Sequence, residues 1–170
     1  MTSRSTNSWL WALLINVALA QASIYVMRPM ITYRALENGA SGYEVGLIAS
    51  IYALLPLLIA VPMGRWVGKF GEIPLLFIGC FSFIILGVAF AFLNNFIAIA
   101  AATALAGVAH LSNVAASQAM VANRSAMNLQ DQNFGYFSFA TSLGHSVGPI
   151  LGGLIAGSAE IGRASCRERV

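Results

Sequence analysis

"GHSVGPILGG", residues 144–153, lies inside a charge-free run from residue 132 to residue 159. Four glycines and a proline in ten residues would break a soluble helix, so the stretch needs an environment that holds it. A membrane supplies one. Gly144, Gly148 and Gly152 are spaced by four and fall on one helix face, where they make a flat groove. Such small-residue faces let helices approach closely in lipid, where burial from water gives no drive to associate. Pro149 frees the carbonyl of residue 145, which a membrane helix tolerates when neighbours satisfy it.

Composition agrees. The chain is 58% hydrophobic and 9% charged, outside the range of soluble domains. Uncharged runs cover residues 5–27, 45–64, 73–123 and 132–159. A bilayer core of about 30 Å takes roughly 20 residues of helix. As one helix, residues 73–123 would extend roughly 76 Å, so they cross twice, with Asn94 and Asn95 at the turn. The fold class is therefore all-α membrane protein with five transmembrane helices, near 8–28, 45–64, 74–93, 96–120 and 133–158. The runs lack the alternation of barrel strands and are too long for them. The first run is too long and too polar, at Asn16 and Gln21, for a secretory signal.

Basic residues orient the chain. With the N-terminus cytoplasmic, Arg4, Arg65, Lys69 and Arg124 lie inside and Arg28 and Arg34 outside. The basic balance thus follows from topology, and no basic stripe with interleaved aromatics points to nucleic acid. The last residues, Glu160 to Val170, break the trend, with three arginines and two glutamates. They resemble a translated short-read sequencing adapter. On that reading the native sequence departs near Ala159, residues 1–159 are an incomplete N-terminal half, and 160–170 are an artefact. Cys80 is then a lone apolar packing residue, with no disulfide framework or metal-ligand spacing.

Gly135, Gly144, Gly148, Pro149, Gly152 and Gly153 together are similar to the fifth-helix antiporter motif of the major facilitator superfamily, at the family's spacing. "GRWVGKFGE", residues 64–72, resembles the family's signature between helices two and three. Gly64, Lys69 and Gly71 match it; Gly68 stands where the family has an acid and Glu72 where it has a base. Read from the residues alone, this is a short basic loop whose glycines permit a tight turn. The resemblance implies a truncated form of a twelve-helix transporter fold. It also implies that the glycine face packs between the two halves and that helices one and four line a central cavity.

Polar residues at membrane depth face a cavity or a partner helix. Candidates for substrate contact are Asn16, Gln21 and Tyr25 on helix one and His110, Asn113 and Ser117 on helix four; Arg28 and Thr103 share those faces. His110 is midway between Phe96 and Arg124, and His145 midway between Asp131 and Ala159, so both sit near the midplane. They share a depth if helices four and five form a hairpin about residues 123–132. Histidine titrates nearest neutral pH, making His110 and His145 candidate proton-responsive groups; the plain alternative is a neutral histidine bonded to a nearby hydroxyl, amide or carbonyl. Arg28 is expected at the outer interface, snorkelling or paired with Glu37 or Glu44, with Pro29 ending the helix. Trp9 and Trp11 read as interface anchors, and Pro56 and Pro62 as bends in helix two.

Glu37, Glu44, Glu72 and Asp131 all fall at helix ends, so any coupling group is a histidine or lies outside this sequence. The expected function is secondary transport by alternating access in a bacterial cytoplasmic membrane, exporting small organic compounds. The bilayer, a small-molecule substrate, possibly a proton and the rest of the same chain are the expected partners. An importer or facilitator is the first alternative, and a polytopic scaffold or sensor the second. No nucleophile with an oriented base, paired carboxylates, phosphate loop or metal cluster supports an enzyme or a cofactor.

Overall fold

The computed structural model describes residues 8–167, with side chains through Leu154. Five long helices follow one another: α1 (Ser8–Glu37), α2 (Gly42–Phe70), α3 (Glu72–Phe90), α4 (Phe96–Arg124) and α5 (Gln130–Arg167), with a 3-10 turn at Met127–Leu129 before α5. Among the described residues, α1 to α4 are long and apolar enough to cross a membrane. In α5 the polar start and the hydroxyls around His145 dilute the apolar residues, and the helix runs along α1.

The turns carry their own chemistry. Ser41 caps α2 through a reciprocal box, its backbone N–H donating to Glu44 at 2.7 Å while its hydroxyl accepts from the Glu44 N–H at 3.3 Å. Asn95 caps α4 by accepting from the Ile97 N–H at 2.8 Å. Between α2 and α3 the chain reverses at Gly71, whose φ of 84° suits a residue without a Cβ. The expected glycine loop thus shrinks to one residue. Gly64 and Gly68 are helical, because Met63 and Val67 on the same turns are buried against α3 and α4 and hold the helix to Phe70.

Pro29 does not end α1. The helix continues to Glu37 because Ile31 and Ala35, beyond the proline, are buried with Ile48 of α2 and Ile99 of α4. Packing on both sides of a proline holds a membrane helix through the lost hydrogen bond. Arg34 fastens this extension, donating to Asn94 Oδ1 at 2.7 Å in the α3–α4 turn and pairing with Glu37 at 3.6 Å.

Helix α4 is the axis. It packs against α2 and α3 and also meets α1, while α5 lies chiefly on α1. Its buried residues are mostly small: Ala100, Ala102, Ala106, Gly107, Ala109, Ala116 and Ser117. Small side chains let three helices approach one. In contrast α2 and α3 expose Leu57, Leu58, Val61, Phe77, Phe81 and Ile84, as a lipid-facing surface must. The hairpin expected of α4 and α5 closes near the connection, where Met120 and Val121 meet Phe137 and Ala140; further along, α1 is the main neighbour of α5.

Candidate functional site

Two polar clusters form where the helices converge. In the first, Asn16 of α1 donates to Cys80 Sγ of α3 at 3.0 Å. Asn113 of α4 donates to the same sulfur and to Asn16 Oδ1, both at 3.3 Å. Cys80 is therefore a shared acceptor joining three helices, not an apolar filler. Close by, the Ser112 hydroxyl donates to the Leu75 carbonyl at 3.0 Å. Asn113 is 2% exposed, so its amide is committed to helix packing.

The second cluster gathers side chains from α1, α2, α4 and α5. Tyr52, ten residues into α2, places its hydroxyl 2.8 Å from His110 Nδ1. The Arg28 guanidinium lies 4.6 Å from the Tyr52 ring centroid and 5.2 Å from that of Tyr25. On its other side Tyr25 stacks at a tilt on His145, with centroids 4.4 Å apart. A continuous series thus runs His145, Tyr25, Arg28, Tyr52, His110.

The two histidines are linked through α1 and α2, not across a direct α4–α5 contact. Arg28, expected to pair with Glu37 or Glu44, pairs with neither among the described residues. Glu37 partners Arg34 and Glu44 caps α2, while Arg28 lies against the Tyr52 ring. Among the described residues no ion pair is recorded for Arg28. Faces of aromatic rings supply its attraction instead.

Tyr52 was not among the residues that the sequence singled out, although a tyrosine so far into an apolar run, away from the interfacial belt, is a usable signal. Between α1 and α2 the cluster borders a cavity of about 340 Å³, lined by Arg28, Thr32, Ile48, Tyr52 and Thr103. Thr32 and Thr103 both donate to carbonyls of their own helices, leaving Arg28, and Tyr52 in the tautomer where His110 donates to it, as the donors open to a guest.

Single polar atoms of three candidates are left over. His110 Nε2, Gln21 Oε1 and Ser117 Oγ are buried without a hydrogen bond among the described residues. Asn16 faces α3 and α4, whereas Gln21 and Tyr25 face α5, so the helix-one candidates divide between two sides.

The glycine face meets α1 of the same chain. A Cβ at Gly144 would stand 2.5 Å from the Ala18 carbonyl oxygen and 2.6 Å from Gln21 Cβ; at Gly148 it would stand 2.5 Å from Tyr25 Cβ. Gly152 has ordinary contact with Val26 at 3.5 Å, and Gly135 and Gly153 have nothing within 4 Å. The glycines thus bring Tyr25 and His145 together. A similar approach occurs at Gly107 of α4, where a Cβ would overlap the Tyr52 carbonyl oxygen. In the segment from Gly64 to Glu72, Lys69 lies 5.4 Å from the Phe70 ring centroid, and Glu72 accepts from Asn123 at 2.6 Å, tying α3 to the end of α4.

The Major Facilitator Superfamily profile matches residues 13–162. Multidrug resistance protein 1 of Bacillus subtilis is 27% identical over 150 residues, 88% of this chain and 39% of that protein. Quinolone resistance protein NorA of Staphylococcus aureus is 25% identical over 150 residues, again 88% of this chain and 39% of the relative. The chain thus spans about 39% of the length of the curated relatives it matches. The family match runs past Ala159 to residue 162, into the segment read as adapter-derived, whose side chains lie outside those described.

Proposed function

This chain belongs to the Major Facilitator Superfamily, and on that premise we propose that it forms the first helices of a secondary transporter that exports small organic compounds by alternating access. The similarity to a multidrug and a quinolone resistance protein is the observation that carries export. Residues 1–159 are the incomplete N-terminal half, and the remaining helices supply the other cavity wall. Both relatives are bacterial, which supports a bacterial cytoplasmic membrane, with the N-terminus inside by its basic residues.

In this reading Tyr25 and His110 contact substrate, while Asn16 and Asn113 hold α1, α3 and α4 together. His110, bonded to Tyr52 beside the Arg28 cation, is the neutral histidine of the plain alternative, with His145 at the far end of the same series.

The test is expression of the full reading frame, amplified across codon 159 at its locus, in an efflux-deficient bacterium loaded with ethidium. Faster dye loss than in the vector control is expected, and a His110→Ala variant should slow it without changing its dependence on pH between about 5.5 and 8. Accumulation equal to the control, with the protein present in the membrane, overturns export; greater accumulation favours the importer.

A further inference from the structure

We propose that Arg28, with Tyr52, forms a binding site for a small organic carboxylate at the cavity between α1 and α2. The inference rests on the transporter reading only in calling that anion a substrate.

Charge is the first argument. Arg28 lies within α1 beside Tyr52, exposed on the cavity wall, where apolar surroundings make a cation without a counter-charge costly. Aromatic faces offset part of that cost but do not neutralise the charge. Among the described side chains the acids Glu37, Glu44, Glu72 and Asp131 sit at helix ends, and Arg34 and the Ser41 cap already engage the two nearest in sequence. An anion entering the cavity would supply the missing charge, and a guanidinium fork fits a carboxylate with two parallel hydrogen bonds.

Hydrogen-bond accounting is the second. The Tyr52 hydroxyl and His110 Nδ1 share one proton between them, and His110 Nε2 is buried without a partner. If Tyr52 donates, the imidazole proton sits on Nε2 and is unused. If Nδ1 donates, the Tyr52 hydroxyl proton is free beside Arg28. The second tautomer leaves a neutral donor next to the cation on the cavity wall, the arrangement that binds a carboxylate and disfavours a cation.

Shape is the third. The cavity is about 340 Å³, and Ile31, Ala35, Val45 and Ile48 provide apolar wall beside the two polar groups. Convergent polar groups at one point of an apolar wall orient a ligand with a charged end and a hydrocarbon body.

The test compares benzoate with benzamide, its neutral counterpart of nearly the same shape, by equilibrium dialysis against the full chain in phosphatidylcholine nanodiscs. Benzoate should bind about tenfold more tightly than benzamide. Arg28→Gln should bring the ratio near one, Arg28→Lys should keep part of it, and Tyr52→Phe should lower it a few-fold. Equal binding of the two probes, no binding of either, or a preference unchanged by Arg28→Gln overturns the inference. Arg28→Lys keeps the charge, so a preference lost in Gln and kept in Lys separates electrostatics from misfolding. A chain without benzoate preference whose full reading frame still expels ethidium would sink the anion site and leave the transporter; a preference without efflux would do the reverse.

Discussion

Helix α5 crosses α1 on glycines spaced four apart, whereas α4 crosses α2 on Gly107 alone. At the first crossing Gly144 and Gly148 share the approach, and a Cβ at either would meet backbone or Cβ atoms of α1 at 2.5 Å. At the second, one added Cβ would run into the Tyr52 carbonyl oxygen with the Pro56 ring 2.9 Å away. The periodic face distributes contact along two turns and is visible as a pattern. The lone glycine concentrates it at one point, on a helix otherwise lined with alanine. The difference teaches that spacing identifies a groove, while the tightest approach can sit where no spacing marks it. Both crossings set the polar series: Gly148 positions Tyr25 against His145, and Gly107 brings the Tyr52 backbone onto α4, where its ring reaches His110.

Substitutions at these glycines rank the crossings. The largest loss is expected for Gly107→Val, about 3 kcal/mol, because the obstructing atoms are backbone and a proline ring that cannot turn aside. A melting temperature within a degree of the native chain in detergent would break the comparison. Gly144→Ala and Gly148→Ala should each cost about 1–3 kcal/mol, and Gly148→Ala should also move Tyr25 off His145. Thermal unfolding gives the first effect, and the His145 ring resonances give the second.

Gly79 of α3 faces α4 less tightly: an added Cβ would stand 3.0 Å from the Ala109 carbonyl oxygen and 3.2 Å from Asn113 Cβ. Gly79→Ala should therefore cost about 1 kcal/mol, seen as a small fall in the melting temperature. The smallest effect belongs to Gly153→Ala, which meets nothing within 4 Å and should stay within about 0.5 kcal/mol. If the same change impairs the full-length protein while sparing this chain, Gly153 faces the remaining helices, and the motif's two ends serve different interfaces.

Much of this was legible in residue order. Runs of apolar residues without charge gave the helices, and Asn94 with Asn95 marked the break inside residues 73–123, where α3 ends at Phe90 and Asn95 caps α4. Pro29 misled because a local helix-breaking rule ignores the burial of Ile31 and Ala35, two and six residues on. Cys80 misled because its partners Asn16 and Asn113 are distant in sequence and meet it only after α1, α3 and α4 pack.

Membrane class, the number of helices and the face on which the glycines lie are properties of the sequence itself, because hydropathy and helical period act over neighbouring residues. Which helix fills that face was decided by the tertiary structure, and it chose α1 of the same chain. The neighbours of Arg28 were likewise settled there. A long side chain can snorkel outward or fold inward, and only the neighbouring rings of Tyr25 and Tyr52, brought together from two helices, determine which.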